Sequence, residues 1–186
     1  MTPKVLVPIA DGTEEIEAVC IIDVLRRAEA DVTVASVGSE LQVTASRGVK
    51  IVADVLLEQC RDATFDLIVL PGGIPGAEHL HASRPLQDLL KRQQDEGRWY
   101  AAICAAPAVV LQPQGLLRGK SATSHPAFME RLDPERAQTE RVVVDGRCVT
   151  SRGPGTALAF ALKLVEVLFG TRKAREVADP MLVAES

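Results

Sequence analysis

Short, nearly continuous apolar runs alternate along the chain with longer stretches in which apolar residues recur at helical spacing. Val5-Leu6-Val7-Pro8-Ile9 is the first run, the pattern of a strand covered on both faces. Residues 14–29 follow, with Ile16, Val19, Cys20, Val24 and Leu25 on one side of a predicted helix and charges mostly elsewhere. Val32 to Val37 predicts a strand, residues 41–53 a short strand pair, and Asp66 to Leu70 a second buried strand that stops at Pro71-Gly72-Gly73. Residues 84–96 predict an amphipathic helix ended by Gly97, Trp99 to Ile103 a strand, and Cys104 to Leu111 a helix with Pro107 near its start. Residues 142–149 predict a hairpin turning on Asp145-Gly146. Gly153-Pro154-Gly155-Thr156 opens a long apolar helix to Phe169, closed by Gly170.

Such alternation implies an α/β fold: a mostly parallel sheet with helices on both faces, in one domain spanning 1–186 without repeats or linkers. Ligands of such sheets bind beyond the carboxyl ends of the strands. The loops leaving those ends are 10–17, 71–76, 104–107 and 124–126, and the site is expected there.

Composition narrows the chemistry. Of 186 residues, 47% are hydrophobic but only 3% aromatic, so the core is aliphatic and stacking platforms for single-stranded nucleic acid are nearly absent. Lys+Arg 21 against Asp+Glu 25 gives a net charge of −4 with the signs interspersed, so no basic stripe marks sequence-specific nucleic-acid binding. No apolar run approaches the roughly 18 residues of a membrane span. The first run is too short for a signal-peptide core, and the expected location is cytoplasmic.

Four cysteines, Cys20, Cys60, Cys104 and Cys148, lie about forty residues apart with no C-x-x-C pair, which argues against zinc and against a disulfide framework. His79 and His81 are too isolated for a metal site, so no metal is expected. Gly72-Gly73-Ile74-Pro75-Gly76 and Gly153-Pro154-Gly155 do not complete G-x-G-x-x-G, so no dinucleotide cofactor is expected.

One thiol stands apart. Cys104 falls where a strand turns directly into a helix, flanked by the small residues Ala102, Ala105 and Ala106. A nucleophile on such a turn is held at the sheet's edge, with helix N-terminal amides favouring the thiolate. The alternative is a buried structural cysteine, the reading that suits Cys20 on an apolar helix face, Cys148 in a hairpin strand and Cys60 at a surface-like helix end. Gly72 and Gly73 lack β-carbons, so their amides can approach a ligand, and the Gly73 and Ala105 N–H groups are candidates for an oxyanion hole. His125 is a candidate base or orienter of substrate, or else a surface histidine before a proline-started helix. Glu14 and Glu15 suit a helix N-terminus, whereas Glu17, one turn on, is placed to face the cleft. Buried, it would hold a proton at neutral pH and donate to a thiolate.

Five blocks carry a resemblance that spans nearly the whole chain: Asp11-Gly12-Thr13-Glu14-Glu15-Ile16-Glu17, Val69-Leu70-Pro71-Gly72-Gly73, Ala101-Ala102-Ile103-Cys104-Ala105-Ala106-Pro107, Thr123-Ser124-His125-Pro126 and Thr150-Ser151-Arg152-Gly153-Pro154-Gly155-Thr156. In this order they resemble the ThiJ/PfpI superfamily, on its DJ-one-like and YajL-like branch. The resemblance implies a flavodoxin-like three-layer sandwich and a homodimer. It implies an oxidisable nucleophile at Cys104, its protonated carboxyl partner at Glu17, a histidine near the thiol at His125, and interface arginines near the site at Arg27 and Arg47. It implies a cofactor-free glyoxalase or a deglycase, whose partners are small reactive aldehydes such as methylglyoxal and glyoxal, or glycated protein and nucleotide groups. The alternative it carries is an oxidative-stress sensor and redox-regulated chaperone working through oxidation of Cys104. Proteases of the superfamily place histidine directly after the cysteine. Ala105 stands there, which argues against peptidase activity, and the downstream His-x-Glu pair of class I glutamine amidotransferases is absent.

Overall fold

A computed structural model describes residues 2–183. Strands β1 (Lys4–Ile9), β2 (Asp31–Ser36), β5 (Val55–Leu56), β6 (Leu67–Leu70), β7 (Trp99–Ile103), β8 (Val142–Asp145) and β9 (Cys148–Ser151) form a seven-stranded sheet in the order β5-β2-β1-β6-β7-β9-β8. All neighbours are parallel except β8 with β9, and β3 (Gln42–Thr44) pairs with β4 (Lys50–Val52) as a separate antiparallel hairpin. The order runs outward from β1 through β2 to β5, then returns to build β6, β7, β9 and β8 on the other side. That reversal makes β1 and β6 neighbours whose following loops diverge, the place where parallel sheets open a crevice.

The helices are α1 (Glu15–Arg27), α2 (Gly76–Ala82), α3 (Arg84–Asp95), α4 (Ala157–Phe169) and α5 (Thr171–Ala178). Alternation along each strand feeds two cores. Val5, Val7, Val69, Ala101 and Ile103 face α1 and α4 through Ala18, Ile21, Leu25, Phe160 and Leu164. Leu6, Ile68, Leu70, Tyr100 and Ala102 face α2 and α3 through Leu80, Leu86 and Leu90. This is the three-layer, flavodoxin-like α/β sandwich. No helix among the described residues is long and apolar enough to cross a membrane.

Several local expectations need correction. On α1 the buried residues are Glu15, Glu17, Ala18, Ile21, Val24 and Leu25, while Ile16 and Val19 are 59% and 49% exposed. The helix therefore has two apolar faces, and the inward one is not the Ile16-Val19-Cys20 side. The hairpin turns on Gly146-Arg147, because Asp145 still pairs with Cys148. Gly146 takes the positive φ of 59° at the first turn position, while the Asp145 carboxylate accepts the Ser121 N–H at 2.8 Å. Cys60 is buried although its helix end looks surface-like, and the loop 124–126 is preceded by an isolated bridge between Ala122 and Ala137, not by a strand of the sheet. After Cys104 the regular turn begins late, over Pro107–Leu111, and is widened so that Gln112 N–H reaches the Pro107 carbonyl.

Candidate active site

Four loops converge where β1, β6, β7 and β9 end. The first packs on the second with no room for side chains. A β-carbon on Gly73, whose φ is +90°, would lie 2.4 Å from the Gly12 carbonyl oxygen, and one on Gly76 would lie 2.5 Å from Thr13 N. These glycines bring the start of α1 beside the end of β6.

Cys104 follows β7 with φ +65°, a left-handed conformation that an L side chain adopts only when its surroundings impose it. Its N–H donates to the Ser151 carbonyl at 3.1 Å. Its carbonyl accepts the Ser124 hydroxyl at 2.6 Å and the His125 N–H at 2.8 Å. The residue is 9% exposed, so the elbow presents little more than the edge of its thiol.

Glu17 is fully buried. The Gly72 N–H donates to its Oε2 at 2.8 Å, Oε1 is buried without a hydrogen-bond partner in the protein, and the carboxyl and the Cys104 thiol act on each other. Burial pushes the Glu17 carboxyl up to about 7, against the opposing pull of the Gly72 N–H and the thiol, with the Glu14 charge adding to the rise. Burial, and then the charge of an ionised Glu17, push the Cys104 thiol up to about 12, while the Gly73 and Ala105 N–H groups pull it down. The expected helix-terminal amides are thus outweighed while Glu17 is ionised. When Glu17 holds the proton its repulsion of a thiolate is removed, and burial alone opposes the Gly73 and Ala105 N–H groups.

The structure brings Cys104, Glu17, Gly72, Gly73, Ala105 and His125 together. Within that group Gly72 departs from the expected oxyanion hole, because its N–H is already given to Glu17. Gly73 and Ala105 act on the thiol itself. His125 Nδ1 accepts the Ala127 N–H at 3.2 Å, so the neutral ring carries its proton on Nε2. That tautomer suits an orienting donor and not a base.

Within the single chain Arg27 stays away from Glu17. It lies ten residues beyond Glu17 on the same helix, roughly 15 Å along the axis, and pairs with Asp23 at 2.6 Å. Arg47 lies closer to the site. Its N–H donates to buried Glu15 at 2.7 Å, and Ser46 Oγ donates to the same carboxylate at 2.6 Å, which ties the β3–β4 hairpin to the start of α1. Both hydrogen bonds hold the Glu15 carboxyl below its ordinary value despite opposing burial. Sequence reading missed Ser124, Ser151 and Arg152, whose Nε donates to the Ser124 carbonyl at 3.4 Å. The available signal was that two of the quoted blocks are rich in hydroxyl residues at strand ends.

Among the described residues no group of three or more His, Cys, Asp or Glu side chains is arranged to hold a metal. A cavity of about 450 Å³ at the ends of β1 and β2 is lined by residues including Asp11, Ser36, Gln42 and His79, but not by Cys104 or Glu17.

The profile of the DJ-1/PfpI family matches residues 3–167. Protein DJ-1 homolog B of Arabidopsis thaliana is 53% identical over 182 residues, covering 98% of this chain and 42% of the plant protein. The chain spans about half the length of the Arabidopsis relatives it matches. A Caenorhabditis elegans protein named glutathione-independent glyoxalase DJR-1.2 is 37% identical over 183 residues, covering 97% of this chain and 96% of that one. Toxoplasma gondii DJ-1, in a structure described as oxidized, superposes with a TM-score of 0.98 at 48% identity, covering 99% of this chain and 100% of that one.

Proposed function

The chain belongs to the DJ-1/PfpI family, and from that premise we propose that it is a cysteine-dependent enzyme of reactive-carbonyl detoxification. It acts without a cofactor as a glyoxalase, and as a deglycase on early methylglyoxal and glyoxal adducts of protein and nucleotide groups, in the cytoplasm and as a homodimer. The observation that carries the reading is the buried Glu17 carboxyl, fixed by the Gly72 N–H and coupled to the Cys104 thiol. The name of the nematode relative supports the reaction class. Exposed Ile16 and Val19 on α1, with Val49 and Val52 on the hairpin tied to it, support the dimer.

The Cys104 thiolate adds to the aldehyde carbon of methylglyoxal, and the new alkoxide takes the Glu17 proton to give a hemithioacetal. The Glu17 carboxylate then removes the hydrogen from that carbon as a proton, forming an enediolate; the hydroxyl proton on this carbon passes to the neighbouring oxygen, and Glu17 returns its proton to the neighbouring carbon. One carbon is oxidised and the other reduced, leaving a lactoyl thioester on Cys104. Water hydrolyses the thioester to lactate and restores the thiol, so the net change is the addition of one water. The Gly73 and Ala105 N–H groups hold negative charge as it passes between sulfur and oxygen.

The second reading is a redox sensor and redox-regulated chaperone. One peroxide takes the thiolate to sulfenate with release of water, and a second takes it to sulfinate. The same N–H groups and protonated Glu17 suit a sulfinate, and the Toxoplasma relative is described as oxidized. Lactate formed per site from methylglyoxal without glutathione, for wild type and Cys104→Ser, separates the two. Many turnovers that vanish in the variant are expected; one equivalent or none would transfer the role to sensing.

A further inference from the structure

The Cys104 elbow is clamped from behind by a residue with no place in the chemistry above. Ser124 is fully buried, and its hydroxyl donates to the Cys104 carbonyl at 2.6 Å beside the His125 N–H at 2.8 Å. Its own segment is pinned on both sides. Thr123 N–H donates to Thr150 Oγ1 at 3.0 Å, and Arg152 Nε donates to the Ser124 carbonyl at 3.4 Å. The hydroxyl is therefore a fixed point.

The carbonyl of Cys104 and the N–H of Ala105 belong to one planar trans peptide and point in opposite directions. Holding the carbonyl on one side aims the N–H on the other. We propose that Ser124 is a positioning residue that, by fixing and polarising the Cys104–Ala105 peptide, directs the Ala105 N–H onto the Cys104 sulfur. A donor on a peptide carbonyl also strengthens the N–H of the same peptide as a donor. With the Cys104 N–H held by the Ser151 carbonyl at 3.1 Å, the two donors on its carbonyl fix the residue on both sides of its φ of +65°. The favourable action of the Ala105 N–H on the thiolate agrees with this. The inference rests on Cys104 being the reactive thiol of the proposed function, and it holds whether that thiol turns over aldehyde or senses oxidant.

The titratable and charged residues of the elements around the elbow are Glu17 and Glu14 from the first loop and α1, and His125 and Arg152, whose N–H groups hold the Cys104 and Ser124 carbonyls. None is altered by substitution at Ser124. The test is the pH profile of Cys104 alkylation by iodoacetamide, with Cys104→Ser as the blank. Ser124→Ala is expected to slow alkylation several-fold at pH 7 and to move the inflection up by roughly half to one pH unit, the scale of one hydrogen bond. Ser124→Thr keeps the hydroxyl and the wild-type profile. If Ser124→Ala does not fold, Ser124→Cys, of similar size but a weak donor, is read in its place against Ser124→Cys/Cys104→Ser as its own blank, and shows the same upward shift. A folded Ser124→Ala or Ser124→Cys with the wild-type profile would overturn the proposal. So would equal shifts in Ser124→Thr and Ser124→Ala, which would assign the effect to packing. Failure of the glyoxalase reading looks different: wild type alkylates with its own profile and makes no lactate.

Discussion

The Gly72 N–H donates to Glu17 Oε2 at 2.8 Å, and that bond decides which carboxyl oxygen carries the proton. An oxygen accepting an N–H keeps its lone pair toward the donor, so the proton rides on buried Oε1, which has no protein partner of its own. The protonated oxygen is thereby left free of any other protein group, beside a thiol on which this carboxyl acts.

Glu17→Gln tests the carrier role. Glutamine keeps a carbonyl for Gly72 and an N–H for the sulfur, but it cannot release and recover a proton. Lactate turnover is expected to fall about 100-fold or more, the usual scale of general acid–base catalysis, while Cys104 remains open to alkylation. Measuring both rates on one sample decides it, and undiminished turnover would remove Glu17 from the proton path.

The same side chain sets a pH dependence of stability. Its ordinary value is 4.5 and its folded value about 7. Below pH 4.5 both folded and unfolded chains are protonated here. As pH rises through that value the unfolded chain releases a proton that the folded chain keeps, so stability falls until pH passes about 7. The full change is about 3 kcal/mol. Urea midpoints at pH 5 and pH 8 should differ less for Glu17→Gln than for wild type, with the variant gaining at the alkaline end. Parallel behaviour would mean that Glu17 is ionised in the folded protein across this range.

The sheet and the elbow were legible because their signals are local. Buried parallel strands read as apolar runs, and β7 ends at a cysteine set among alanines. Glu17 stood out from Glu14 and Glu15 by lying one turn on, but nothing in that spacing says that it is fully buried or that Glu15 is buried as well. Helix α1 misled because both its faces are apolar, and periodicity cannot rank Ile16 and Val19 against Ala18 and Ile21. Ser124 was invisible as a participant. Its role depends on a carbonyl 20 residues away, and a buried serine in sequence looks like any other.

Arg27 and Arg47 separate on the same grounds. The Arg27–Asp23 pair has side chains 50% and 48% exposed, a class worth less than about 1 kcal/mol. Arg27→Ala should leave Cys104 alkylation by iodoacetamide unchanged. Arg47 sits on a loop held by Glu15 at the head of the helix that carries Glu17. Arg47→Glu should slow alkylation by anionic iodoacetate more than by neutral iodoacetamide. Equal effects on the two reagents would remove Arg47 from the mouth of the site.

The outward apolar face of α1 should be covered by a second copy. Ile16 is 59% exposed and Val52 on the hairpin 65%, in elements joined through Glu15 and Ser46. A charge placed among such residues is costly to bury without a partner. Light scattering after size exclusion should give a dimer mass for wild type and a monomer mass for Ile16→Asp/Val52→Asp, and a wild-type monomer would refute the assembly.

Gly72→Ala joins the fold to the chemistry most directly. An added β-carbon would lie 2.5 Å from Cys104 Cβ, 2.9 Å from Glu17 Oε2 and 2.9 Å from the Ile103 carbonyl oxygen. None of these can swing aside: one is a Cβ on a clamped backbone, one belongs to a fully buried carboxyl, and one is backbone. The elbow must move, at a cost of about 1–3 kcal/mol for overpacking, and the Glu17–Cys104 geometry moves with it. Gly155 provides the control, because a β-carbon there meets nothing within 4 Å. Gly155→Ala should keep the wild-type melting temperature and alkylation rate, whereas Gly72→Ala should lose both. A Gly72→Ala protein that is less stable but alkylates normally would show that the thiol's reactivity does not depend on the contact with Glu17.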